Sequence, residues 1–201
     1  MHKSKYIMRW ILLIVTGVVF ALLLTIFASF VLAYRARAEA ARYLHVVVPL
    51  RIGTTFDATV AQLRDAGVPT TIHGDCHHEC ILESRFVNRW QYVLHLAPPT
   101  GLVGRIDFGN DKLVYKSTIL GRDFCCSAAV TESTSTISGT SANVDSSGRP
   151  RKIFVDLSAL DFTEYRKQAY AFNLSCIGSM RGCEPEELLP TLNDLERALS
   201  K

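Results

Sequence analysis

The chain has 201 residues, 48% of them hydrophobic, and 22 Lys and Arg against 19 Asp and Glu, a formal net charge of +3. The basic excess is confined to one end: Lys3, Lys5, Arg9, Arg35, Arg37 and Arg42 stand against Glu39 alone in residues 1–42, and the rest is slightly acidic. Residues 43–201 therefore lack the basic footprint of a nucleic-acid binder, and no nucleic-acid partner is expected.

Residues 10–33 read WILLIVTGVVFALLLTIFASFVLA, twenty-four residues without a charge. As a helix they span about 36 Å, enough for a ~30 Å hydrocarbon core with some tilt. Tyr6, Trp10 and Tyr34 flank the run, where amphipathic rings favour the headgroup layer, and the flanking basic residues meet anionic lipid. Ala36-Arg37-Ala38 resembles a small-x-small cleavage site, but a signal peptide's apolar run is about 7–15 residues. The expectation is a retained single-pass anchor in the lipid bilayer. Basic residues balance across it, so the positive-inside rule does not orient it. Cysteine usage does: Cys76, Cys80, Cys125, Cys126, Cys176 and Cys183 all follow the anchor, an even set suited to disulfides in an oxidising compartment. The expected layout is a short cytoplasmic terminus (1–9), the anchor (10–33), a helical stalk (34–50) and one extracytoplasmic domain (51–201), periplasmic in a bacterium.

Ala, Arg and Glu after residue 33 favour continued helix, which Pro49 ends. In residues 50–69, Thr54 with Asp57 approximates a capping box. Phe56, Val60 and Leu63 then share a face, and Gly67 and Pro69 stop the helix. From Thr70 the period is two. Residues 81–86 and 90–96 read as strands, the second with Trp90, Tyr92, Leu94 and Leu96 on one face. Residues 102–108 and 112–120 flank Gly109-Asn110-Asp111, a hairpin turn tolerant of positive φ. Further strands are expected at 124–131 and 152–157, separated by a Ser/Thr-rich surface loop or edge hairpin at 131–150. Asp161 with Glu164 opens a helix whose face is Tyr165, Ala169, Phe172 and Cys176. Pro185, with Glu184, Glu186 and Glu187, starts a final helical region carrying Leu188, Leu192, Leu195 and Leu199. Helix, strands, then helices imply an α+β fold with an antiparallel sheet flanked by helices.

LRIGTTFDATVAQL, followed by RIDFGNDKLV, resembles the Gly-Thr-helix opening and the strand–turn–strand of the SmpA/OmlA family of small envelope lipoproteins. The likeness covers about thirty residues, and the family's lipidated N-terminal cysteine is replaced here by the apolar anchor. It implies a helix-plus-sheet layout and an envelope setting, and it transfers no functional residue.

Chemistry concentrates in residues 73–80, where His73, Cys76, His77, His78 and Cys80 are of the types that Zn²⁺ prefers. Yet no second ligand pair of that spacing recurs, and adjacent side chains such as His77 and His78 diverge. A Cys76–Cys80 disulfide explains the segment more simply; a reactive thiol would need an activating neighbour, which only the histidines offer. Cys125-Cys126 sits on an expected strand with side chains on opposite faces. Cys176 and Cys183 bracket IGSMRG, whose glycines let the chain turn back for a local bridge. No G-x-S-x-G elbow or Gly-rich phosphate loop occurs. Asp156, Asp161 and the 184–187 acids fit capping or solvated roles, and Asn173-Leu174-Ser175 is a sequon inside an expected helix. The reading is a non-enzymatic interaction module, no cofactor assigned, partnered by the bilayer and another envelope protein. The alternative is a metal- or thiol-dependent enzyme centred on residues 73–80, with Zn²⁺ as its metal.

Overall fold

A computed structural model describes residues 2–76, 78–87, 91, 93–96, 98–122, 126–148, 150–160, 163–179 and 181–199. The chain opens with a single helix, α1 (His2–Val47), of 46 residues. Its stretch Met8–Val47 contains a run long and apolar enough to cross a membrane, none of it buried against protein. The other half of α1 is different. Ser29, Ala33, Ala36, Ala40, Tyr43 and Val47 are all nearly inaccessible, and they recur at the alternating three- and four-residue spacing of a packed helical seam. The expected stalk is thus helical but not surrounded by water: its inner face lies in the domain core, and Arg37 clamps it from the side, donating to the carbonyls of Ile177 (2.7 Å) and Ser175 (2.9 Å).

After α1 come α2 (Phe56–Asp65), β1 (Thr71–Asp75), β2 (Glu79–Val87), β3 (Thr100–Gly109), β4 (Lys112–Arg122), β5 (Ser127–Ser133), β6 (Gly139–Val144) and β7 (Pro150–Ser158). Three short helices, α3 (Thr163–Ala169), α4 (Pro185–Leu188) and α5 (Leu192–Leu199), follow, with a 3₁₀ turn at Leu174–Cys176. The α+β class holds, but the sheet is mixed. Its order is β1-β2-β3-β4-β5-β7-β6, antiparallel except for the parallel β5–β7 pair. The Ser/Thr-rich 131–150 stretch carries the reason: it passes over β7's position and supplies β6 as an edge strand, so β7 returns beside β5 in β5's own direction.

None of the described residues among 90–96 is in a strand. Gln91 and Val93 are helical, Trp90 and Tyr92 lie outside the described residues, and β2 pairs instead with β3 beyond Pro98 and Pro99. Asn110 and Asp111 do adopt positive φ (50° and 61°) at the β3–β4 turn. The N-cap of α2 is Thr55 rather than Thr54, and the Thr54 hydroxyl donates to the Arg51 carbonyl. Helix α3 stops at Ala169, so Cys176 and the sequon fall on the 3₁₀ turn, where the Asn173 side chain accepts from the Ser175 amide. Asp161 and Phe124 are outside the described residues. The final helical region divides at Pro190, and Glu184 with Glu187 forms a capping box at α4.

One face of the sheet carries Leu82, Phe86, Leu102, Ile106, Leu120, Val130 and Val155 against α1, α2 and the C-terminal helices. Close approach of α1 depends on Gly104 in β3: a Cβ there would fall 2.0 Å from Cζ of Tyr43. The glycine is a socket for the ring, which also packs on Phe86 at 5.5 Å between centroids.

Candidate functional site

The sheet register places Leu82, Ile106, Lys116, Glu132 and Leu157 in one row across β2, β3, β4, β5 and β7. Three members are apolar and two are charged. Lys116 Nζ lies 3.0 Å from Glu132, and Arg166 of α3 reaches the other carboxylate oxygen at 2.6 Å. Lys116 and Glu132 are completely inaccessible, and the Arg166 side chain is 1% exposed. Lys116 also donates to the carbonyls of Val47 (2.8 Å) and Leu50 (2.6 Å), at and just beyond the end of α1. A helix leaves its last carbonyls without intrahelical partners and accumulates negative partial charge there, so a cation is a fitting cap. Tyr170 covers the ammonium with its ring face, 5.4 Å to the centroid.

Burial lowers the Lys116 pKa from 10.5 to about 8; the charge and hydrogen bond of Glu132 oppose the fall, and Arg166 and Arg51 add to it. Burial also raises the hydroxyl pKa values of Tyr43 and Tyr170, the former opposed by a hydrogen bond with Thr118. An amine titrating near 8 is the kind that does base or Schiff-base chemistry when a substrate can reach it. Here the ammonium is enclosed on every side and occupied by two carbonyls and a carboxylate. Its role is to fasten β4 to the end of α1.

The cluster holds two cations and one anion. Arg166 Nε and Nη1 have no hydrogen-bond partner among the described residues. Arg166 also lines an open groove of about 600 Å³ between the end of α1 and α3. Leu44, Val48 and Pro49 form its apolar wall, and His45, Arg51 and Lys167 bring basic groups to it. Arg51 bonds the Thr163 hydroxyl at 3.2 Å, and Lys167 pairs with Glu164 at 2.8 Å. Buried cationic nitrogens without acceptors, beside a basic apolar groove, suit an anionic group carried on an apolar segment.

The residues singled out in the sequence lie elsewhere. Cys76 and Cys80 pair at disulfide distance across the β1–β2 turn, and Cys176 pairs with Cys183, tying the 3₁₀ turn to the start of α4. His73 is on exposed edge strand β1, 3.9 Å from Glu83, and His78 is exposed in the turn. Among the described residues no three His, Cys, Asp or Glu gather to hold a metal; His77 lies outside them. Cys126 is half-buried just before β5, and Cys125 is outside the described residues. On the open face of the sheet Arg85 pairs with Glu83, and Arg105 with Asp107 at 2.7 and 2.9 Å. The hydrogen bond from Arg85 holds the Glu83 carboxyl below its ordinary range.

Lys116 escapes sequence reading because of one residue. The β3–β4 register shifts between Asp107 and Phe108: Phe108 faces Leu113 but Asp107 faces Tyr115, leaving Val114 as an extra residue. This bulge changes which residues point inward. Without it Leu113, Tyr115 and Ser117 would share the core face and Lys116 would look outward. No protein-family model, curated protein or solved structure matches the chain.

Proposed function

We propose that the chain is a membrane-anchored binding module. The apolar half of α1 crosses the bilayer with its N-terminus in the cytoplasm, the domain lies outside, and the groove at the far end of α1 takes an acidic, apolar segment of another envelope protein. The observation that carries the binding role is Arg166, which lines a groove of basic and apolar residues and has two buried nitrogens without a hydrogen-bond partner among the described residues. Two cysteine pairs at disulfide distance support the oxidising side of the membrane, and the SmpA/OmlA resemblance points to the same setting. The groove sits beside Pro49, where α1 has ended, so a partner would engage at the membrane-distal end.

The test has two arms. A periplasm-active reporter fused after Lys201 should be active and a cytoplasm-only reporter silent; the reverse result rejects the orientation. A photo-crosslinking residue at Val48 should capture a discrete partner in native membranes. That product should vanish when Arg51→Glu and Lys167→Glu reverse the rim. A crosslink indifferent to the reversal rejects the acidic ligand, and no crosslink at all rejects the groove.

A further inference from the structure

We infer that the β2–β3 connection around Val93 and Leu94 is a second membrane contact, seated in the outer leaflet beside α1. The inference rests on the proposal that α1 spans the bilayer and adds where the bilayer ends on the domain. Counted from Arg9, the last charge before the apolar run, a ~30 Å hydrocarbon core takes up about 20 residues of helix. That count reaches Ser29. Protein already covers the helix there: Ser29 is 1% exposed and Ala33 3%. Covering starts, therefore, at the level where lipid should still be present.

Part of the cover comes from the β2–β3 connection. Leu94 lines a shallow apolar cavity of about 380 Å³ together with Leu24, Thr25, Ala28, Ser29 and Leu32. Leu24 is five residues before Ser29, about 7.5 Å inside the hydrocarbon boundary at 1.5 Å per residue. Gln91 and Gly178 press against the same neck: a Cβ at Gly178 would lie 2.6 Å from that of Ala33 and 2.7 Å from the Gln91 Oε1. The small side chains of Ser29 and Ala33 permit this approach. Val93, 63% exposed, extends the apolar surface. The occupant of the cavity and the neighbour of Val93 is then lipid acyl chain. The domain sits on the membrane surface, with the Arg51–Arg166 groove at the far end of α1.

The test uses the full-length chain in phosphatidylcholine–phosphatidylglycerol vesicles, with lipids brominated near the headgroup or near the chain ends. Three single-tryptophan proteins are compared: native Trp10 with Trp90→Phe, and Val93→Trp or Ile137→Trp in a Trp10→Phe, Trp90→Phe background. Ile137, 90% exposed in the loop before β6, reports an aqueous position. Val93→Trp should be quenched severalfold more than Ile137→Trp, most by the shallow bromines. Quenching equal to that of Ile137→Trp, with Trp10 still quenched, overturns the second contact and leaves the anchor standing. Loss of Trp10 quenching as well removes the anchor and this inference together. In the unmodified protein, a carbene probe on the lipid chain should label the peptide containing Val93 and Leu94; labelling restricted to α1 also overturns the inference.

Discussion

Glu132→Gln is the sharpest test of the buried cluster. The substitution keeps the shape of the side chain and removes the anion that lies between Lys116 and Arg166. Breaking a buried pair by deleting one partner costs about 3–5 kcal/mol, because a charge is left without compensation; here two cations are left. A domain of this size has a stability of about 5–15 kcal/mol, so the loss is a large share of the whole. It corresponds to a fall in Tm of roughly 6–20 °C. Lys116→Met makes the useful comparison. It removes the Lys116 hydrogen bond to the Leu50 carbonyl, about 1–3 kcal/mol, and leaves the Val47 carbonyl its bond from the Leu50 amide. It also removes a charge whose burial lowers its pKa from 10.5 to about 8, an unfavourable term of about 3 kcal/mol. The Arg166–Glu132 pair survives as a neutral unit, so the two effects largely offset. Glu132→Gln should therefore be clearly the more damaging, measured by denaturant-dependent pulse proteolysis of the detergent-solubilised full-length protein. Equal losses, or the reverse order, would refute the claim that Glu132 holds the cluster.

Stability should also respond to alkaline pH. The folded chain releases the Lys116 proton near pH 8, whereas the unfolded chain keeps it to about 10.5; the unfolded state binds more protons between these values, so stability rises with pH there, by up to about 3 kcal/mol. Above about pH 10 the buried hydroxyls of Tyr43 and Tyr170, their pKa values raised, reverse the trend, and Lys116→Met should abolish the rise; a falling curve from pH 8 to 10 in the parent protein contradicts this account. Gly104→Ala should destabilise by about 1–3 kcal/mol through overpacking, and Tyr43→Leu should recover part of that loss in the double variant; purely additive losses would separate the two residues. Non-reducing peptide mapping should return Cys76 linked to Cys80 and Cys176 linked to Cys183, and any peptide joining one set to the other counts against the pairing. Cys183→Ser should speed amide exchange in residues 184–199 with small global effect, because so short a loop contributes less than the ~3 kcal/mol of a 15-residue one.

Much of the fold is legible where one physical rule acts alone. The run Trp10–Ala33 has no charge, so helix is its only economical form, and the helix is there. Asn110 and Asp111 tolerate positive φ, and the turn forms on them. Cys176 and Cys183 are close in sequence with glycines between, and they meet. Reading fails where tertiary contacts outvote a local pattern. Trp90, Tyr92, Leu94 and Leu96 alternate like a strand, but Leu94 instead lines the cavity against α1, and β2 takes its partner from beyond Pro98-Pro99. The stalk was legible as helix but not as core. Ala33, Ala36 and Ala40 are only good helix formers until Gly104 and Gly178 bring the sheet and the 3₁₀ region close enough to bury them.

The site is the less legible part, and the reason is general. A charged residue in a β-rich run is ordinarily evidence for the solvent face, and Lys116 and Glu132 violate that expectation together. Each is unfavourable inside without the other, and neither is near the other in sequence. Their pairing exists only once β4 and β5 are in register and Val114 has bulged out of phase. Arg166 comes from a third element, on a helix whose sequence offers Glu164 and Lys167 as more conspicuous charges. By contrast the histidine–cysteine segment is conspicuous because its residues are contiguous, yet contiguity spreads side chains along a turn and an edge strand. Convergence in space, which the register and one extra residue supply, is what makes Lys116, Glu132 and Arg166 a unit. The same convergence leaves Arg166, which lines the groove, with two nitrogens that have no hydrogen-bond partner among the described residues.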